Sequence, residues 1–248
     1  MRLFNTRTTH LFSATVATTL LSVSVLLTAC GGSDYNFNKV PTPEPTVLPH
    51  GPIFDPANSK IPSTNDLLFK DSADGTLNIP NPDNNPVVAA INELDGFSTS
   101  IPIIAEFGMA LDPASLTVGD SIHVYEVTKT GAAITGVVRE VTAAEIIAVP
   151  VGDKAMTLAL VPRVPLKEST SYLVVLTNKI KGTDSKAAQI PSVYALTKGS
   201  VPLTGGDYEA LEPLRLLTNN MEAIAGTQSV AKDSIVLSWS FTTQSISA

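Results

Sequence analysis

One cysteine and three histidines are the residues of this chain with the widest chemical reach. Cys30 ends the run Leu27-Thr28-Ala29-Cys30, directly after a stretch from Leu11 to Ala29 that carries no charge. Arg2 and Arg7 precede that stretch. A positive start, an apolar centre and small residues before a cut form the pattern of an export leader. The thiol then falls at the first mature position, a nucleophile at a membrane surface, and Thr28 and Ala29 are small enough for a peptidase to approach. A buried free cysteine is the bland alternative. A retained transmembrane helix is the other, because the stretch is nearly long enough to span a bilayer. No Lys or Arg follows until Lys39, and several Ser and Thr dilute the stretch, which favours cleavage.

This arrangement resembles the lipobox of bacterial lipoproteins, in which the cysteine is diacylated and the peptide is cut just before it. The resemblance implies lipidation at Cys30 and peptidase recognition through Leu27, Thr28 and Ala29. Gly31, rather than Asp, follows the cysteine, and under the best-known sorting rule that implies delivery to the outer membrane. Burial of acyl methylenes contributes about 0.8 kcal/mol each, so two or more chains anchor stably where one is marginal.

The hydroxyls offer less. A Gly-x-Ser-x-Gly elbow would expose a serine nucleophile on a strained strand-to-helix turn, and the sequence has none; Gly96-Phe97-Ser98-Thr99-Ser100 lacks the closing glycine. Gly119-Asp120-Ser121-Ile122 mimics the opening of another serine-hydrolase family that also needs a downstream histidine. His10 lies in the leader, His50 in the tether, and His123 two residues from Ser121; none follows. Ser121 and His123 therefore read as ordinary strand residues, with no third partner for a triad. Asp71 to Gly75 and Asn81 to Asn85 supply oxygens but do not match the 12-residue calcium loop, so turn and cap roles account for them. Catalytic residues, metal ligands and cofactors are all expected to be none.

Net charge is −7, and loss of residues 1–29, with two arginines and no acids, moves it to −9. That balance argues against nucleic acid and against charge-driven binding to anionic lipid. With Cys30 acylated no thiol remains for a disulfide, so a hydrophobic core must carry the stability. The mature chain is long enough to build one.

The elements that would position these groups follow in order. Residues 30–50 read as a Pro-rich tether, with Pro41, Pro43, Pro45 and Pro49 after Gly31-Gly32-Ser33. Residues 51–248 form the domain, and its first part, 51–100, is an irregular lead-in. Within it a short helix is expected at Pro86–Leu94, with Asn85 as N-cap, and Asp95-Gly96 is a turn into the first strand. From Ile101 alternating runs appear at 101–107, 121–127, 136–141 and 155–161, then around Tyr172, Val174 and Leu176. Period-2 patterning at this spacing predicts an antiparallel β-sandwich, and Leu166, Thr170 and Tyr172 suggest the tyrosine corner of immunoglobulin-like folds. Leu214, Leu217, Met221 and Ile224 predict an amphipathic helix within 207–225, with Gly226 as C-cap. The last strand, 235–243, puts Ile235, Leu237, Trp239 and Phe241 on one face and leaves Ser238, Ser240 and Thr242 to water. The expected fold is thus mostly β: an Ig-like antiparallel sandwich of 101–180 and 234–245 with a helical insertion, 181–233, before the last strand.

Four stretches carry a family resemblance: Phe54 to Phe69, Asp74 to Pro80, Ala90 to Thr99, and Trp239 to Ser245. Together they resemble the N-terminal domain of the bacterial virulence-factor lipases, secreted or surface-exposed lipoproteins. Leu111 to Leu116 and the later strands also resemble bacterial Ig-like modules that end in a Phe-Thr-Thr strand. In that family a separate α/β-hydrolase domain follows this region, which the resemblance places beyond Ala248. It implies a non-catalytic scaffold on the cell surface, anchored in the membrane through Cys30 and presenting a C-terminal or separately encoded hydrolase. The alternative is a free-standing Ig-like surface module that binds a protein or carbohydrate. An in-frame Gly-x-Ser-x-Gly downstream of codon 248 would separate the two.

Overall fold

The computed structural model describes residues 49–246. Cys30, with Leu27, Thr28 and Ala29, lies outside the described residues, as do the leader and the tether up to Leu48.

Seven strands alternate along the chain as the turn residues dictate: β1 Ile103–Glu106, β2 Ile122–Thr130, β3 Ala133–Glu140, β4 Ile146–Val151, β5 Thr157–Pro162, β6 Ser171–Thr177 and β7 Ile235–Thr242. They pair antiparallel into two sheets, ordered β1-β5-β4 and β3-β2-β6-β7. Inward residues of both sheets share one core, among them Ile103, Leu158 and Leu160 from one and Val124, Val174 and Leu237 from the other. The mostly β, Ig-like sandwich is therefore present. Its corner is too: Tyr172 is buried, its hydroxyl accepts from Lys167 N–H at 3.0 Å, and its ring stacks on Phe241.

The lead-in has little regular structure but is firmly bound. Ile53 and Ser63 N–H groups donate to Glu106 and Ile104 carbonyls, so the lead-in covers the open edge of β1. Its Phe54, Leu77 and Phe97 enter the core. Helix α1, Pro86–Ile91, is shorter than its pattern, and the Asn85 side chain accepts from Val87 N–H as an N-cap should. The lead-in ends by joining β7: Phe97 N–H donates to Thr242 O and Gln244 N–H to Phe97 O. A Cβ on Gly96 would lie 2.4 Å from Gln244 N, so only glycine permits that approach.

Two elements escape the period-2 and period-3.6 templates. Ile146–Val151 is an unbroken apolar run containing Pro150, yet it forms edge strand β4, where a missing N–H is tolerated. Helix α2, Ser192–Lys198, is seven residues long and buries Val193, Tyr194 and Thr197. Helix α3, Glu212–Thr227, starts inside the expected span but runs past its end, so that Gly226 lies inside it and Gln228 is the C-cap. The apolar stripe is right but incomplete, because Arg215, Thr218 and Glu222 are buried beside Leu214 and Met221.

The reason is that α3 packs on the outer face of the four-stranded sheet and makes a third layer. Met221 and Ala225 meet Tyr125, Val127, Leu173 and Val175 there. Ser238 and Ser240 consequently do not face water; they are 2% and 3% exposed. A register shift between Leu176 and Thr177 also turns Ile235 to this outer cluster, away from Leu237 and Trp239.

Trp239 is 2% exposed within the inter-sheet core, and its indole N–H has no hydrogen-bond partner. Trp239→Ala should lower unfolding free energy by about 3–5 kcal/mol in urea titrations. Trp239→Phe, which deletes the unpartnered N–H, should lose far less; a loss under about 0.5 kcal/mol for Trp239→Ala would place the indole outside the core.

Candidate functional site

A concavity of about 480 Å³ opens on the same outer face. Its lining comes from the 3-10 turn Asp66–Phe69 with Lys70, Gly75 and Asp95 of the lead-in, the tip of the β2–β3 hairpin, the first turns of α3, and the end of β7. Leu67, Phe69, Leu214 and Leu217 make most of its surface apolar, while Asp66, Lys129, Ser240 and Thr242 supply a polar floor.

Local chemistry places each floor group. The Asn65 side chain accepts from Leu67 N–H and caps the turn, which sets Asp66 against β7. Asp66 Oδ2 accepts from Lys129 Nζ at 2.6 Å and from Ser240 Oγ at 2.8 Å. The pair is partly shielded, at 12% and 15% side-chain exposure. Asp66 Oδ1 is buried without a partner. Sequence reasoning passed over Asp66, although it lies in the Phe54–Phe69 stretch. The trace that could have exposed it is the Ser238, Ser240, Thr242 row, which bonds Tyr194 and Asp66 rather than water alone.

Further along that row, Tyr194 O–H reaches Glu222 Oε1 at 3.0 Å and Ser238 Oγ at 2.8 Å. Burial foremost, then the Glu222 charge, push the Tyr194 phenol well above its ordinary range. It stays neutral and acts as a structural donor.

The groups singled out for hydrolytic chemistry are not assembled. Ser121 lies in the turn just before β2, where its Oγ donates to Ser115 O at 2.6 Å and accepts from Thr117 N–H at 2.9 Å. His123 Nδ1 pairs with Glu140 at 2.7 Å, and its ring stacks on Tyr125. His50 pairs with Asp184. Ser72 and Thr76 donate to Asp74, and Asn81 and Asn85 bond each other across their turn, both as turn chemistry requires. Among the described residues no group of three or more His, Cys, Asp or Glu could hold a metal ion. Among them, too, no helix is long and apolar enough to cross a membrane.

The comparison that decides the relationship covers the lead-in, both sheets and the helical layer. Residues 55–248 match the bacterial virulence factor lipase N-terminal family. The chain belongs to that family. No curated protein matches it. Two solved chains of the surface layer protein SbsC are similar over part of it. Domains 1–6 are 16% identical with a TM-score of 0.25, covering 37% of this chain and 11% of that one. The rSbsC(31-844) chain is 15% identical with a TM-score of 0.26, covering 41% and 14%. This lipase N-terminal domain thus spans about a tenth of the SbsC chains it matches.

One ion pair fixes the helix that walls the cleft. Arg215 is 7% exposed and grips Glu212 with Nε and Nη2, both at 2.7 Å, while Leu203 N–H donates to Glu212 Oε2. The Arg215 hydrogen bonds first, then Leu203, pull the Glu212 carboxyl down to about 2. An unfolded Glu titrates near 4.3 (about), so the stabilisation is present above that pH and is lost as pH falls through about 2. The Glu212 carboxyl carbon should titrate near pH 2 by NMR in this lipase N-terminal domain, and nearer the ordinary value in Arg215→Gln. A wild-type midpoint near the ordinary value would contradict the assigned geometry.

Proposed function

We propose that this chain is a non-catalytic scaffold that holds a hydrolase domain in a fixed orientation at the cell surface, tethered to the outer membrane by lipid at Cys30. Membership of the lipase N-terminal family across residues 55–248 is the observation that carries this reading. The way the chain leaves the fold supports it. Asp95 accepts from the Ser245 N–H at 3.1 Å and from its hydroxyl, and Glu168 accepts from Ile246 N–H at 2.8 Å. These bonds hold the last described residues against the sandwich. Ser121, His50 and His123 are held in turn bonds and ion pairs, in keeping with a non-catalytic role.

Two arms of one experiment test the reading. The purified chain should turn over neither short nor long acyl esters above a buffer blank, and cells expressing Cys30→Ser should lose fatty-acid labelling of the protein. Ester hydrolysis abolished by Ser121→Ala or His123→Ala would overturn the scaffold role. Label retained on Cys30→Ser protein would overturn the anchor.

A further inference from the structure

We propose that the cleft floored by Asp66 is a binding site for a small uncharged amphiphile: a hydrocarbon tail ending in one or more hydroxyls. The shape of the cleft, which owes nothing to the scaffold role, already suits such a ligand. A concavity of about 480 Å³ is within the ordinary range for small-molecule sites, and mostly apolar walls with a few convergent polar groups are their usual composition. The apolar wall is built by Leu67, Phe69, Leu214 and Leu217. Burying a tail against it contributes roughly 25 cal/mol for each Å² of apolar surface removed from water.

Charge selects the headgroup. The carboxylates lining the cleft, Asp66 and Asp95, are matched by two ammonium groups, Lys70 and Lys129. Lys129 is already committed to Asp66 and Lys70 to Asp71. An anion would meet the Asp66 carboxylate, and a cation would meet Lys129; either would be brought into an apolar site without a counter-charge of its own. Hydrogen bonding then selects the polar group. Asp66 Oδ1 is buried beneath the lining without a partner, and the Ser240 and Thr242 hydroxyls, which donate to Oδ2, keep lone pairs that can accept. A floor rich in acceptors favours a ligand that donates, which is what an alcohol does and a carboxylate or quaternary ammonium cannot.

A flat protein partner fits the site less well. The lining comes from segments far apart in the sequence, and the Asp66–Lys129 pair is shielded, at 12% and 15% side-chain exposure, rather than standing on an open rim.

Three probes of equal tail length isolate the headgroup: 1-decanol, decanoate and decyltrimethylammonium, each below its aggregation threshold. Binding is read on the full chain by methyl NMR at Leu67, Leu214 and Leu217. We expect 1-decanol to shift these methyls in a saturable way, and both charged probes to bind at least about tenfold more weakly, a difference of about 1.4 kcal/mol. Ala132→Trp, which fills the cleft from the exposed hairpin tip, should abolish the response while leaving the remaining spectrum folded. Asp66→Asn should weaken 1-decanol and narrow the discrimination against decanoate. Equal binding of the three probes, shifts that persist in Ala132→Trp, or methyls that only a protein chain perturbs would each overturn the proposal.

Discussion

A single buried carboxylate governs how this domain is put together. Glu222 has no exposed side-chain surface and pairs with Lys198 at 2.7 Å and, more distantly, with Lys232 at 3.6 Å. Tyr194 donates to the same oxygen as Lys198 and ties it to Ser238 on β7. Lys198 also reaches the Ile235 carbonyl. One acid on α3 thereby fixes α2, the approach to β7 and β7 itself. A charge in such a place is tolerated only with its partners present, and removing one partner of a buried pair typically destabilises by about 3–5 kcal/mol. The neighbouring polar residues extend the restraint. Asn220 clamps both backbone groups of Ile134 on β3, and Asn219 accepts from Lys232 while donating to the Thr197 and Gly199 carbonyls. Oriented polar bonds set the angle of α3 on the sheet, and apolar contact with Leu173 and Val175 supplies the adhesion.

That division explains what was legible in the sequence. The strands facing the inter-sheet core alternate cleanly, so β1, β2, β5, β6 and β7 emerge from period-2 reading, and Tyr172 makes the corner bond that its spacing suggested. The outer face of the four-stranded sheet is different. Its Ser238 and Ser240 resemble solvent-facing residues because their partners, Tyr194 and Asp66, arrive from segments far away in the chain. No local pattern reports such a pairing. For the same reason the helix stripe gave Leu214 and Met221 but not Arg215 or Glu222. Asp66 required the fold: it becomes a site residue only when the lead-in, the hairpin tip and β7 converge.

The lead-in acts in the same way as the helices. It seals the β1 edge, contributes Phe54 and Phe97 to the core, and ends in a close backbone approach at Gly96. Its Asp95 then holds Ser245 as the chain leaves β7. Cleft, chain exit and helical layer therefore rest on one continuous scaffold.

The central claim is that the helical layer and the sandwich form one cooperative unit through Glu222, and native-state hydrogen exchange tests it most directly. Amides of Met221 and Glu222 in α3 should exchange through the same opening, with the same free energy and denaturant dependence, as that of Val174 in β6. Exchange of the α3 amides at markedly lower free energy, with Val174 still protected, would show a separable module and contradict the account.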